Sequence, residues 1–406
     1  MQRGFLSQYF EGSAVKRLSV VEANRSKSNQ HELNGVRLLR NLLGDDRITS
    51  MPARFLWLQG ENEGITSEGR VTWYDSRERQ PHRSPEYRLY FNSNPVMDIA
   101  KEGDLLFVAK RPDGELFIIV IPEDSTFESQ LLWLFGMDEV EASFNYQLYQ
   151  DDNDQEIDFA ARYILEELGI EVVDPDAEFL DSILAPYLDV GFPSTSVFSE
   201  LARRTVRDTA PYEEPDRTLL EWIEQEEKLF KRLERHIVAK RLERGFYIDE
   251  ETDVEGFIQF SLSVHNRRKS RVGYALENHL EEIFKAHSIR YSRTPVTENK
   301  SKPDFLFPSI ECYRDDLFSA SRLTMLGVKS TCKDRWRQVL SEAHRIDRKH
   351  LFTLEPGISE NQTVEMQANQ LQLVLPESLH DTYRPAQRDW LMNLNDFLKL
   401  AKERQE

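Results

Sequence analysis

Two short apolar runs, each joined to a charged residue, constrain this chain more than any other feature. Phe305-Leu306-Phe307 follows Pro303-Asp304, and Met325-Leu326-Gly327-Val328 runs into Lys329. Apolar segments of this length read as buried strands. A pair of neighbouring strands would bring Asp304 and Lys329 to one place. The position two before the lysine is Gly327, which has no side chain to offer. Glu342, thirteen positions past Lys329, lies on a helical pattern over 334–347 marked by Trp336, Val339, Leu340 and Ala343, and could return a carboxylate to the same spot.

That constellation has a chemistry. Phosphodiester cleavage needs charge neutralised at phosphorus and a hydroxide aimed in line with the leaving oxygen. Mg²⁺ suits the task because it takes hard oxygen ligands from one or two carboxylates, water and phosphate. Asp304 and Glu342 are the candidate metal ligands, and Lys329 would orient the attacking water and offset charge at the transition state. Glu277, on a helical pattern with Leu276, Leu280, Ile283 and Phe284, is a candidate third acid that binds a ligating water or a second metal. Each residue has an ordinary alternative: an Asp after Pro is commonly a turn residue, and a strand-end lysine can simply reach solvent. Their combination on strand, strand and helix carries the reading.

The chain of 406 residues is long enough for two or three domains with their own cores. No apolar stretch approaches the roughly 20 residues of a membrane span. The first residues lack the long apolar core of a signal peptide. Two cysteines, Cys312 and Cys332, argue against a disulfide framework and suit a reducing cytoplasm. The net charge of −19 is unevenly spread: residues 121–256 hold 12 Lys+Arg against 35 Asp+Glu, while 1–120 and 257–406 are close to neutral. The overall acidity is therefore a poor guide to partners.

Residues 1–145 read as β-rich, with Pro112-Asp113-Gly114 as a hairpin turn between Leu105–Val108 and Leu116–Val120. Short strands at this spacing suggest a barrel or sandwich. The acidic Asp151-Asp152-Asn153-Asp154 marks a break, followed by a helix near 155–168. Asp174-Pro175-Asp176 and the loop around Gly191-Phe192-Pro193-Ser194 place a linker at 171–195 between domains 1–170 and 196–406. Residues 216–245 read as a charged helix or packed helical hairpin. The remainder alternates helix and strand, as a mixed α/β domain does.

Two basic clusters accompany the acids. Lys333-Asp334-Arg335, at a helix start just beyond Lys329, offers donors for guanine O6 and N7 and an acceptor for cytosine N4. An internal salt-bridge cluster is the plainer alternative. Arg267, Arg268, Lys269 and Arg271 form a run suited to phosphate contacts.

At these residues the chain resembles the EcoRII family of type II restriction endonucleases. The segments that carry the resemblance are 263–271, 302–309 and above all Val328-Lys329-Ser330-Thr331-Cys332-Lys333-Asp334-Arg335-Trp336-Arg337-Gln338. It covers roughly residues 190–406. The resemblance implies a C-terminal α/β nuclease domain of the PD-(D/E)xK type with a migrated acid. Its metal site would hold Mg²⁺ on Asp304 and Glu342, with Lys329, a supporting Glu277 and a nearby Tyr313. Lys333, Asp334 and Arg335 match the triplet that reads the halves of a CC-x-GG target. The family works as homodimers on double-stranded DNA, alongside a cognate DNA methyltransferase.

In the N-terminal part, Lys16-Arg17-Leu18-Ser19, Gln30-His31-Glu32 and Tyr74-Asp75-Ser76-Arg77 look like the DNA-gripping arms of the family's all-β effector-binding pseudobarrel. The resemblance implies a second, effector DNA site held by Lys16, Arg17, Ser19, Gln30, His31, Tyr74, Ser76, Arg77 and Arg79. Basic side chains interleaved with Trp73, Tyr74, Tyr87 and Tyr90 suit such a surface. The expectation is a cytoplasmic, site-specific, Mg²⁺-dependent DNA endonuclease with no membrane partner. The rivals are a non-catalytic DNA-binding regulator and a structure-selective repair nuclease of the same fold.

Overall fold

The computed structural model describes residues 4–23, 31–35, 37–60, 62–80, 82–137, 140, 145–149, 154–173, 177–248 and 251–406, without the side chains of 35, 37, 177 and 334. The break at 151–153, the segment 174–176 and Gln30 lie outside the described residues. The chain divides into two compact units. One comprises Met1–Val173 with Gly357–Asn361 and Thr382–Arg384, and the other holds the rest.

The first unit is built on eight strands: β1 (Gly12–Arg17), β2 (Glu32–Gly35), β3 (Ile48–Trp57), β4 (Thr66–Asp75), β5 (Tyr87–Phe91), β6 (Leu105–Lys110), β7 (Leu116–Ile121) and β8 (Asn145–Leu148). They form one sheet in the order β2-β5-β4-β3-β7-β6-β1-β8. Every pairing is antiparallel except β3 with β7. The β6–β7 hairpin turns through Pro112-Asp113-Gly114, where Gly114 takes a φ of 86° that a side chain would strain.

Period-two alternation splits β7 between two cores. Phe117, Ile119 and Ile121 join Phe10, Phe107 and Phe135 on one face. Leu116, Ile118 and Val120 join Trp73, Leu89 and Phe91 on the other. Both faces are thus buried, which explains the unbroken apolar reading of β7. The second core also takes Leu33 of β2 and Leu148 of β8, which stand at opposite ends of the strand order. The helix Arg37–Leu43 packs on both of those end strands.

The second unit opens with helices. Ala177–Leu184 and Thr195–Thr205 pack against Pro215–Glu243, joined by Leu229, Phe230 and Leu233. Where a linker was expected, the helix Ala177–Leu184 is therefore part of this unit's core. The two-residue strands β9 (Tyr247–Ile248) and β10 (Glu251–Thr252) lead into the long helix Val254–Ala286, capped by the Asp253 carboxylate at 2.8 Å from the Gly256 N–H.

The sheet of this unit comprises β11 (Ser292–Arg293), β12 (Phe305–Phe307), β13 (Thr324–Lys329), β14 (Lys349–Thr353) and β15 (Leu371–Val374), in sequence order. β11, β12 and β13 pair antiparallel, and β13, β14 and β15 pair parallel. Phe284, near the end of the long helix, packs edge-on against Phe305 at 5.0 Å and Phe307 at 5.2 Å between ring centres. The helix is thereby pinned to the strand that follows Asp304. Among the described residues, no helix is long and apolar enough to cross a membrane.

One element departs from the sequence pattern. The helix expected over 334–347 is a 3-10 turn Lys333–Arg335 followed by a short helix Trp336–Leu340. Ala343 at φ 46° and a 2.9 Å bond from the Ile346 N–H to the Ala343 carbonyl turn the chain away before β14. The apolar pattern continues through the turn because Ala343 and Ile346 remain buried, which is why it reads as helix.

Candidate active site

The register of β12 and β13 brings the first two charged groups together. Phe305 faces Leu326, so Asp304 falls beside Gly327. The Val328 N–H donates to Asp304 Oδ2 at 2.6 Å, and Lys329 Nζ donates to the same oxygen at 3.0 Å. Both side chains are mostly covered, with 16% of Asp304 and 18% of Lys329 exposed.

Gly327 is where an acid-x-Lys triplet would hold its acid. A Cβ there would stand 2.9 Å from Val339 Cγ2 and 3.1 Å from Val339 Cγ1. The helix Trp336–Leu340 therefore occupies the space a side chain at 327 would need. Glu342 lies in the turn just beyond that helix rather than on it, its N–H donating to the Val339 carbonyl at 3.1 Å.

Glu342 is half-buried, and its Oε2 is buried with no hydrogen-bond partner. Burial pushes its carboxyl up to about 7, Asp304 adds to the rise, and Lys329 and Lys349 oppose it. An unpartnered carboxylate oxygen close enough to feel both Asp304 and Lys329 has the chemistry that suits a metal ligand. Among the described residues, no three His, Cys, Asp or Glu side chains converge to hold a metal alone. Two carboxylates fit Mg²⁺, which keeps several waters and takes phosphate oxygens as further ligands. Asp304 and Glu342 would hold it.

Glu277, on the inward face of the long helix, feels the charge of Asp304 and Lys329. Its Oε2 accepts from Arg293 Nη2 at 3.0 Å and Nε at 3.3 Å. Burial, then Asp304, raises its carboxyl, while Arg293 pulls it back.

Tyr313, buried on the short helix Ile310–Arg314, has its hydroxyl 2.7 Å from both oxygens of Glu298. The Arg345 N–H donates to that hydroxyl at 3.3 Å, and Arg345 Nη2 donates to the Phe318 carbonyl at 2.8 Å. Tyr313 thus braces the turn that carries Glu342.

The triplet expected to read bases, Lys333-Asp334-Arg335, occupies the 3-10 turn that follows β13 after three residues. Arg335 is exposed, its Nη2 donating to the Thr331 carbonyl at 3.0 Å, and Lys333 is exposed with a φ of 33°. The backbone places Asp334 between them. The basic run sits on the long helix, but its members differ. Arg271 is 6% exposed and pairs with Glu226 at 3.4 Å and with Glu227, its guanidinium 4.0 Å from the Phe230 ring centre. Arg268 pairs with Glu234 at 2.7 Å, Arg267 lies 4.6 Å over Phe192, and Lys269 is exposed.

In the first unit, Lys16 donates to both oxygens of Glu22 at 2.8 and 2.7 Å, and Ser19 donates to Glu22 at 2.8 Å. Arg17 meets Glu128 at 2.6 Å. Tyr74 donates to Glu32, Ser76 to the Glu86 carbonyl at 2.9 Å, and Arg77 pairs with Glu86. His31 packs edge-on to Phe91 at 5.9 Å, and Arg79 is exposed. The strands β1 and β4, which carry the two candidate arms, are separated in the sheet order by β3, β7 and β6.

Arg293, Lys349 and Arg345 were missed from the sequence. Arg293 sits on a two-residue strand too short to show a pattern. The signal was on its partner: Glu277 and Glu281, four apart on one helix face, repel each other and favour a cation between them.

Residues 230–398 match the family described as EcoRII C terminal. The type II restriction enzyme EcoRII of Escherichia coli is 43% identical over 209 residues, which are 51% of this chain and 50% of that relative. The chain spans about half the length of the relative it matches. Among solved structures, metal-depleted Ecl18kI in complex with uncleaved DNA is similar at 18% identity and a TM-score of 0.44, covering 56% of this chain and 84% of that one. The restriction endonuclease PspGI in a substrate DNA complex is similar at 16% identity and a TM-score of 0.39, covering 59% and 95%.

Proposed function

We propose that this chain is a site-specific type II restriction endonuclease that hydrolyses double-stranded DNA with Mg²⁺ at a CC-x-GG-like sequence. The observation that carries the reading is the convergence of Asp304, Lys329 and the unpartnered Glu342 Oε2. The 43% identity to EcoRII over 209 residues, and the match of residues 230–398, which include all three, to the EcoRII C terminal family, support it.

Bound Mg²⁺ would supply charge neutralisation at the scissile phosphate and lower the pKa of a ligating water. The chain's own residues do the rest. Asp304 is fixed by Val328 and Lys329, so its position does not wait on the cation. Lys329 stands beside the carboxylates and would lend its charge to the phosphorane as it forms. Glu277 orients water from the helix side. Lys333, Asp334 and Arg335 read base edges from the turn after β13, and Lys269 and Arg267 contact phosphate.

One such site cuts one strand, so a homodimer would place two on a palindromic target. The eight-stranded sheet, with β2 and β8 feeding one core, is read as the pseudobarrel that holds an effector DNA copy. Binding there would exchange the internal acid partners of Lys16, Arg17 and Arg77 for phosphates.

The test is a Mg²⁺-dependent digest of unmethylated plasmid with the fragment ends sequenced. Discrete fragments sharing a CC-x-GG-like site support the proposal. No cutting, even with an added oligonucleotide carrying a second site, overturns it in favour of a DNA-binding regulator.

A further inference from the structure

Arg293 ties the two halves of the candidate site together. It ends β11, facing Phe305 of β12, and the next residue, Thr294, donates its N–H to the Asp304 carbonyl at 2.9 Å. Its guanidinium reaches away from the sheet to two acids one turn apart on the long helix. Nη1 donates to Glu281 Oε2 at 2.7 Å, while Nη2 and Nε donate to Glu277 Oε2 at 3.0 and 3.3 Å. Tyr291, on the same segment, donates to the other oxygen of Glu281 at 2.7 Å. Glu281 is thus occupied on both oxygens and acts as an anchor, whereas Glu277 is held by one oxygen only.

Resting on the metal-dependent reading above, we infer that Arg293 is the positioning residue of the site. It fixes the Glu277 carboxylate, which feels the charge of Asp304, before any metal arrives. Asp304 and Glu277 repel each other, and the cation nearest to Asp304, Lys329, is already committed to it. The charge that offsets Glu277 comes chiefly from Arg293, whose planar fork suits two carboxylates at a set spacing. Holding Oε2 leaves Oε1 to orient a water of the metal's shell. The same fork keeps Glu277 out of the direct ligand set, which then consists of Asp304 and Glu342.

Partners that orient a metal site from outside its ligand shell change activity or affinity by about 10–100-fold when removed. Arg293→Met is therefore expected to lower the turnover of DNA cleavage by about 10–100-fold with DNA affinity unchanged. Arg293→Lys recovers part of the loss. The decisive comparison is with Glu277→Gln: if Arg293 acts through Glu277, adding R293M to E277Q costs nothing more. Losses that multiply, or an R293M enzyme as fast as the parent, overturn the inference. Should R293M not fold, Glu281→Gln weakens the anchor alone, with a smaller loss expected that again disappears on the E277Q background. A readout independent of activity is the metal-free crystal structure of R293M, or of R293K if R293M does not fold. Displacement of the Glu277 carboxylate supports the role, and an unmoved carboxylate refutes it. If the parent protein cuts no DNA, the endonuclease reading fails, and the crystal structure still decides whether Arg293 places Glu277.

Discussion

Val328 holds Asp304 through its main chain: the Val328 N–H donates to Asp304 Oδ2 at 2.6 Å, the same oxygen that Lys329 Nζ reaches at 3.0 Å. A backbone donor cannot be removed by a side-chain change, so the placement of Asp304 is a property of the β12–β13 register. Its charge is a separate matter.

Those two properties separate in Asp304→Asn. The amide oxygen can still accept from Val328, so the melting temperature should stay near that of the parent. Mg²⁺-dependent cleavage should fall by about 100-fold or more, because a preorganised charge is lost where charge develops. Asp304→Ala should abolish cleavage and leave metal-free DNA binding largely intact. Continued Mg²⁺-dependent cutting by D304A would remove Asp304 from the site.

Glu342 gives the site a pH dependence. Burial, chiefly, raises its carboxyl to about 7 from 4.5. The folded state then binds a proton more readily than the unfolded chain. Stability from this group is highest below about pH 4.5 and is lost as pH rises through about 7. Glu342→Gln should therefore melt about 2–4 °C above the parent at pH 8 and level with it at pH 4. Its Mg²⁺ affinity should be weakened, and in the parent that affinity should fall as pH drops below 7. Calorimetry across pH, which also detects the proton released on metal binding, checks both signs.

Arg335→Ala should weaken binding to a cognate CC-x-GG-like duplex by about 1–3 kcal/mol and binding to random duplex far less. Competition titrations at fixed salt measure the ratio. Equal losses on both duplexes would make Arg335 a phosphate contact.

Arg271 and Lys269, two positions apart, should behave as different kinds of residue. Arg271→Met leaves Glu226 buried without its guanidinium and should cost about 3–5 kcal/mol of stability, with the salt slope of DNA binding unchanged. Lys269→Ala should leave melting alone and lower that slope by about one. A reduced slope in R271M with normal melting would contradict the burial-based division.

Much of this was legible in the sequence because it follows from local periodicity. The β6–β7 hairpin, the strands around Asp304 and Lys329, and the inward face of Glu277 all appear as patterns of apolar residues. Glu342 was legible as a candidate because Gly327 left a vacancy to fill, although the helix proved shorter. The pairing of Arg271 with Glu226 and Glu227 was not legible, since those acids lie more than forty positions earlier. A run of arginines shows no direction in the sequence; only the packing of two long helices decides which guanidinium turns inward. Arg293 was hidden for the same reason, as its role depends on a helix and a strand meeting.

The contact between Gly327 and Val339 has a consequence for redesign. An aspartate installed at 327 would collide with the valine 2.9 Å away, and shrinking that valine would loosen the segment that leads into Glu342. A side chain at 327 and the present packing of Val339, three residues before Glu342, therefore compete for one volume. Any residue larger than glycine at 327 has therefore to be installed together with a change at 339.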